Sequence, residues 1–353
     1  MRKTNKIKKI KIAIVAPPFG DTGGPEIAVQ SLVDSLIDKG INVTFFTPAD
    51  WKTKAKHIST LKQSLWNMKD FKKQTGRVRI NLIILSQMEV VNYQNNFDII
   101  HLHSSAYAYA VAKLLKKPCI LSLHNRIGSS EFAQIKKAGV YTVSLSNSQK
   151  GKLKTAKTIW NGVQIKNIKF SRKKGSYLIT VGRITDQKGI DTAIKIAKKA
   201  GKKLLIFGRI GNSPERQRYL NQRIKPFLDN KQIIYKGEVS NRKILGYLKN
   251  AEALIFPIKR PEVCPMIIAE SLACGTPVIG TKIDPLPELL GNNKKIAFLS
   301  NSSSKLIEAA KNTDRFNRLE CRKYAEKYFD SSIIADKYIN LYEKIINKWK
   351  RKK

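Results

Sequence analysis

Short apolar runs and amphipathic stretches alternate along the whole chain. Runs rich in Ile, Val, Leu and Phe fall at 11–16, 42–47, 98–103, 119–123, 177–182, 203–207, 253–256 and 278–280. Several are apolar at nearly every position, as expected for strands of a parallel sheet buried on both faces. Between them lie stretches of helical period. In 26–39, Ile27, Val29, Leu32, Val33, Leu36 and Ile37 take contact positions and Gly40 follows as a stop signal. The stretches 188–200, 241–250 and 265–274 read the same way. In 78–91 the Ile and Val content suits a strand, but the spacing of Ile80, Ile83, Ile84, Gln87 and Val91 favours a helix. The final stretch, 331–349, predicts an amphipathic helix through Ile333, Ile334, Tyr338, Leu341, Tyr342 and Ile345. Strand–helix alternation on this scale predicts doubly wound α/β structure.

The alternation pauses at 166–176, which is polar and basic, and a new strand–loop–helix unit opens at Tyr177. Three segments follow: a Rossmann-like domain over 1–168, a second over 169–328, and a C-terminal helix over 329–353 that packs back on the first. At 353 residues this division gives domains of ordinary size. No apolar run approaches the ~20 residues of a membrane-spanning helix. The 4 cysteines are widely spaced, which suits a reduced cytosolic protein without a Cys-based zinc site. The basic segment 1–11 leads into an apolar run that Pro17 and Pro18 stop at once, so it reads as a first strand of a cytoplasmic protein and not as a signal peptide.

Charge adds a second theme. Lys+Arg is 67 against 26 for Asp+Glu, a net +41 that attracts polyanions such as nucleic acid, anionic lipid and nucleotide phosphates. Solvated lysine-rich helix faces account for much of it. No nucleic-acid motif with interleaved aromatics accompanies it. The densest basic stretch, 51–79, carries Leu61, Leu65 and Met68 at helical spacing with Trp66 and Phe71 nearby. It predicts a basic amphipathic helix suited to the surface of an anionic membrane; packing of the same side chains on the sheet, with the lysines in water, is the other reading.

Ligands of open α/β sheets bind beyond the carboxyl ends of the strands, and three sequence features follow strands. Gly20–Asp21–Thr22–Gly23–Gly24–Pro25–Glu26 precedes the first helix, where glycines let backbone N–H groups approach an anion; a plain tight turn explains it equally well. It is not a dinucleotide fingerprint. Gly182–Arg183 and Lys188–Gly189 offer a planar fork and a point charge five residues apart, a pair suited to a diphosphate. Glu262 and Glu270 lie eight apart in a chain poor in acids, Glu262 in a loop and Glu270 within an apolar helical run. Such acceptor carboxylates suit vicinal hydroxyls. Three of the 4 histidines, His101, His103 and His124, lie at neighbouring strand ends. No carboxylate of ligand spacing and no Asp-x-Asp accompanies them.

Together these features resemble the retaining glycosyltransferases of family 4, with the GT-B fold, over about 11–328. The most specific part is Glu-x7-Glu followed by Ala273–Cys274–Gly275–Thr276–Pro277. Gly-Gly-x-Glu, Asp98–Ile99–Ile100–His101–Leu102–His103, Leu121–Ser122–Leu123–His124 and Asn161–Gly162–Val163 also match. Within the family the chain is most similar to the branch of the avilamycin-pathway enzyme and the pterin glucosyltransferases.

The resemblance implies two Rossmann-like domains facing a cleft, the first receiving the acceptor and the second the nucleotide-sugar donor. It implies that Arg183 and Lys188 hold the donor diphosphate, Glu270 the ribose and Glu262 the donor sugar, with His103, Glu262, Arg183 and Lys188 forming the catalytic set. Gly23 and Gly24 would approach the diphosphate and acceptor; Gly237 and Val239 would contact the base; Cys264, Pro265 and Met266 would line the donor. His124 and Asn125 would line the acceptor pocket. The usual Glu-x-Phe-Gly is here Glu262–Val263–Cys264–Pro265, and Pro265 has no N–H to offer the donor.

The expected function is metal-independent, cofactor-free transfer of a hexose from a UDP- or GDP-linked donor. The acceptor is a sugar, a lipid-linked compound or a small molecule in glycan biosynthesis. The location is cytoplasmic or peripheral at the inner membrane face, with contact to anionic membrane and no specific nucleic acid. A GT-B-fold epimerase or phosphorylase, or a non-catalytic polyanion binder on the same fold, are the competing readings.

Overall fold

The structure, a computed structural model, describes residues 10–20, 23–103 and 108–351. Asp21 and Thr22 of the glycine-rich loop, and most of the basic segment 1–11, lie outside it. Two compact units divide the chain: 1–164 with 330–353, and 165–329. The first unit thus ends four residues before 168 and takes up the C-terminal segment from Asp330.

The first unit is built on a seven-stranded parallel sheet of order β3-β2-β1-β4-β5-β6-β7. Its strands are β1 (Lys11–Val15), β2 (Asn42–Thr47), β3 (Lys56–Ser59), β4 (Ile99–Leu102), β5 (Cys119–Leu123), β6 (Tyr141–Ser144) and β7 (Lys157–Thr158). Helix α1 (Gly24–Asp38) follows β1, and α2 (Gly76–Tyr93) covers the stretch whose period favoured a helix. A short α3 (Ala108–Ala112) follows β4.

The second unit is built on a six-stranded parallel sheet of order β10-β9-β8-β11-β12-β13. Its strands are β8 (Tyr177–Val181), β9 (Lys203–Phe207), β10 (Ile233–Tyr235), β11 (Ala253–Phe256), β12 (Val278–Gly280) and β13 (Ala297–Leu299). The helices used below are α4 (Ile190–Ala200), α5 (Asn241–Lys249), α6 (Met266–Ala273) and α7 (Arg318–Tyr328).

The C-terminal helix α8 (Ser331–Lys350) lies in the first unit. Its Ile334, Tyr338, Leu341, Tyr342 and Ile345 share one buried core with Val29, Leu32 and Leu36 of α1 and with Ile12, Ile14 and Phe45 of the sheet. A Ser35–Ser331 hydroxyl bond of 2.7 Å and a Lys39–Asp336 ion pair of 2.9 Å fix the contact with α1.

The basic amphipathic helix expected within 51–79 does not form. The segment supplies edge strand β3, two 3₁₀ turns at Leu65–Asn67 and Phe71–Lys73, connecting loops and, over 76–79, only the first turn of α2. The Asp50 carboxylate captures the Ser64 N–H and hydroxyl at 2.9 and 2.6 Å, and the Leu65 and Trp66 N–H groups donate to the Pro18 and Phe19 carbonyls. Those donors are therefore withdrawn from an α-helical ladder. Leu65 and Phe71 are buried with Ile83, against Phe19, Leu61 and Met68. Leu61, Leu65, Met68 and Phe71 thus pack inward, and of these apolar residues with Trp66 only Trp66 is exposed.

Candidate active site

In the first unit, the chemistry gathers at the carboxyl ends of β1, β4 and β5. His101 sits mid-sheet, paired in register with Ile14 and Ile120, and is fully buried. Its Nδ1 lies 2.7 Å from the Tyr342 hydroxyl and its Nε2 2.8 Å from Ser122 Oγ, which lies 2.9 Å from the Tyr338 hydroxyl. Two tyrosines of α8 therefore close the polar network around one imidazole. Burial pushes His101 down to about 3, so it is neutral.

His103 lies just past β4, its backbone N–H donating to the Val15 carbonyl at 3.0 Å. Its ring packs 3.9 Å from that of His101, as a shared strand face requires. Nδ1 of His103 and Nε2 of His124 are 3.0 Å apart. Since burial holds both rings well below the usual histidine range, His124 at about 4, one neutral ring donates and the other accepts. Nε2 of His103 is buried with no hydrogen-bond partner among the described residues. An imidazole nitrogen left unpaired in a buried position carries a cost that a ligand hydroxyl would relieve. Asn125 is exposed; its carbonyl accepts from Gln149 Nε2 at 2.9 Å, which ties the β5 end to the segment after β6.

Gly23 is the N-cap of α1, and Gly24 is its first residue. A Cβ on Gly23 would stand 2.0 Å from Glu26 Oε2, so a larger residue there would force the Glu26 carboxyl that curls over it to move. Glu26 is buried, and burial pushes it up to about 7. The Gly-Gly-x-Glu motif contained Glu26, yet its part in the site was missed. The signal was there: an acid two positions after the double glycine, in a chain with few acids.

In the second unit, the loops after β8, β10 and β11 and the start of α6 hold the other residues. Arg183 is exposed, and among the described residues no carboxylate pairs with it. Lys188 Nζ lies 2.9 Å from Glu262 Oε1, and Gln187 Nε2 donates to the same oxygen at 3.1 Å. The Lys188 ammonium also stands 5.4 Å above the Phe256 ring. Gly189, at φ +65°, passes so close to the Pro257 carbonyl that a Cβ would lie 2.0 Å from its oxygen. That contact brings the β8 loop against the β11 loop, and with it Lys188 against Glu262. Glu270 is buried on α6, and Asn241 Nδ2 donates to its Oε1 at 2.7 Å. Burial raises its pKa while Asn241 opposes the rise.

Pro265 is the N-cap of α6, a position where a missing N–H costs the helix nothing. Cys264 and Met266 beside it are buried. Gly237 has φ +76° with open space above its Cα, and its carbonyl accepts from the Gly208 N–H at 3.0 Å. Val239 is half-buried. Between them Glu238 binds Arg209 through both carboxylate oxygens, at 2.9 and 2.8 Å. Sequence reasoning also missed Gln187, Asn241 and Arg209, because a polar side chain that orients another has no pattern of its own.

A cavity of about 420 Å³ opens at the amino ends of β8, β11 and β12, lined by Arg172, Lys174, Glu252, Asp314 and Arg318 among others. The Arg318 guanidinium there is spent on the carbonyls of Ser171, Ala251 and Lys249. The cavity is a joint of the second unit, away from the loops that carry the acids and cations.

Two family models match successive parts of the chain. "Glycosyltransferase Family 4" covers 22–156 and "Glycosyl transferases group 1" covers 164–327. With the two parallel sheets, they make this chain a glycosyltransferase of the GT-B fold. It is 24% identical to an uncharacterized glycosyltransferase of Methanocaldococcus jannaschii, over 87% of this chain and 90% of that protein. It is likewise 24% identical to an uncharacterized 41.2 kDa protein in the cps region of Klebsiella pneumoniae. That match spans about half of each protein, 49% of this chain and 47% of the relative. Among solved structures, AviGT4, a glycosyltransferase involved in avilamycin A biosynthesis, superposes with a TM-score of 0.70 at 18% identity, covering 96% of this chain and 98% of that one. Sucrose-phosphate synthase of Thermosynechococcus elongatus gives 0.77 at 15% identity over 96% and 100%. Anabaena HepE, solved with UDP and glucose, gives 0.73 at 14% identity over 95% and 100%.

Proposed function

We propose that this glycosyltransferase moves a hexose from a nucleotide-diphosphate donor to an acceptor hydroxyl, with retention at the anomeric carbon and without a metal. The observation that carries the proposal is the arrangement of the second unit: an uncommitted Arg183, a Lys188–Glu262 pair and a buried Glu270 follow strands of one parallel sheet. The relative solved with UDP and glucose supports a UDP-linked donor.

Arg183 and Lys188 supply the positive charge that the leaving diphosphate needs. Lys188 has three N–H donors and Glu262 takes one, so two can turn to phosphate oxygens. A carboxylate oxygen of Glu262 takes a hydroxyl of the donor sugar, and Glu270, held by Asn241, takes the ribose. In a same-face reaction the bond from the anomeric carbon to the phosphate oxygen breaks as the bond to the acceptor oxygen forms. The acceptor's proton passes to the departing phosphate oxygen. The protein's work is then positioning and charge stabilisation, and the unpaired Nε2 of His103 holds a sugar hydroxyl.

A thermal-shift panel of UDP- and GDP-hexoses in EDTA tests the donor. A ligand at ~100 times its Kd stabilises by about 2.7 kcal/mol. One donor class should raise the unfolding midpoint of the wild type and fail to raise that of Glu270→Ala. No shift with any nucleotide sugar would contradict the proposal.

A further inference from the structure

Seven large hydrophobic side chains are exposed among the described residues, and four of them, Ile80, Leu85, Met88 and Tyr93, lie on α2. Ile80, Leu85 and Met88 fall within an arc of about 140° on a helix of 3.6 residues per turn. Leu85, at 56%, is the most exposed of the seven. The face is firmly presented: Ile83, Ser86, Gln87 and Val90 are buried on the opposite side, and Gln87 Nε2 donates to the Ala16 carbonyl at 3.0 Å. Trp66, 41% exposed, stands beside the start of α2, its ring 5.6 Å from that of Phe71, over which Arg79 lies. Leu114, after α3, is exposed between the exposed Lys113 and Lys116.

The surroundings select the occupant. From 51 to 93 the chain carries nine Lys and Arg residues against two acids, Asp70 and Glu89. Asp70 is itself taken by Lys73 at 3.3 Å. A second copy of a chain with net charge +41 would bring the same cations against themselves. An anionic bilayer satisfies both features at once: its interface accepts apolar side chains and a tryptophan, and its headgroups attract the lysines and arginines.

We propose that this face of α2 docks on the surface of an anionic lipid bilayer, with Ile80, Leu85 and Met88 entering the interface and Arg77 and the lysines of the preceding turns against the headgroups. The site differs from the helix expected within 51–79: Leu61, Leu65, Met68 and Phe71 of that segment are packed inward, and apart from Trp66 the outward residues come one element later. The proposal does not depend on the donor reading.

Sedimentation of the full chain with phosphatidylcholine vesicles, with and without 30% phosphatidylglycerol, tests it. Pelleting should require the anionic lipid at low salt and fall at least tenfold at ~0.5 M salt, where charge attraction is screened within a few ångströms. Leu85→Asp/Met88→Asp, at two exposed positions, should lose at least tenfold in binding while keeping the wild-type unfolding midpoint. Wild-type protein that stays in the supernatant at low salt would overturn the proposal. So would binding that the double variant leaves unchanged, binding indifferent to salt or headgroup, or a dimer of the wild type that the double variant dissociates. Should the double variant fail to fold, Leu85→Ser takes its place with the same expected direction.

Discussion

Lys188 Nζ and Glu262 Oε1 stand 2.9 Å apart across the loops of two adjacent strands, β8 and β11. Each side chain is largely buried, at 13% and 15% exposure. Such a pair is costly to break one partner at a time and cheaper to remove whole. Lys188→Ala and Glu262→Ala should each destabilise the second unit, and the double variant should cost less than their sum by about 1–2 kcal/mol. Urea unfolding of the four proteins checks this. Additive costs would mean that the ion pair contributes nothing.

The buried Glu270 carboxylate accepts a hydrogen bond from Asn241 Nδ2 at 2.7 Å. Removing a hydrogen bond to a charged group costs about 1.5–3 kcal/mol, roughly 10- to 100-fold in affinity. Asn241→Ala should therefore weaken donor binding in the direction of Glu270→Ala, by a smaller factor. Calorimetric titration of the donor identified in the thermal panel measures both.

Glu26 gives a pH signature. Its pKa rises from 4.5 in the unfolded chain to about 7 in the fold, so between these values the folded state binds the extra proton. Stability from this group is full below about 4.5, falls as pH rises through the window, and is lost above 7. Glu26→Gln should flatten that slope and be the more stable protein at pH 8, by a margin on the order of 3 kcal/mol. Equal stabilities at pH 5 and pH 8 for the two proteins would contradict the assignment.

The histidines run the other way. His101 and His124 are depressed to about 3 and about 4, so the unfolded chain takes up protons first as pH falls below about 6.5. Their stabilising contribution is present above that value and is lost progressively towards pH 4. Tyr342→Phe removes a hydroxyl 2.7 Å from His101 Nδ1 and should cost about 1–3 kcal/mol. His103→Ala should leave stability less affected and reduce turnover by about 100-fold.

The interior of both sheets could be read from the sequence because central strands are apolar on both faces. The apolar runs at 11–16, 119–123, 203–207 and 253–256 coincide with β1, β5, β9 and β11. What escaped were mostly edges: β3, β7 and β13 are all terminal strands of their sheets, two to four residues long, and β3 and β7 carry lysines. An edge strand packs on one side only and needs little apolar content. Interior β6 escaped as well, because Tyr141–Ser144 alternates with hydroxyls. The helix expected within 51–79 failed for a different reason. Its period was real, but the Asp50 carboxylate and the Pro18 and Phe19 carbonyls claim the backbone donors, and these partners are 14 to 47 residues away. At the site, the acids and cations were visible as rare residues after strands. Their orienting partners, Asn241 for Glu270 and Tyr342 for His101, come from 29 and 241 residues away and leave no local trace.

The most direct test of the proposed reaction is proton NMR of the sugar released or transferred from a nucleotide-diphosphate hexose in the presence of EDTA. The account predicts that the first product carries the anomeric configuration of the donor, that chelator leaves the rate unchanged, and that Glu262→Ala abolishes the signal. An inverted product, or activity that appears only when Mg²⁺ or Mn²⁺ is restored, would contradict it.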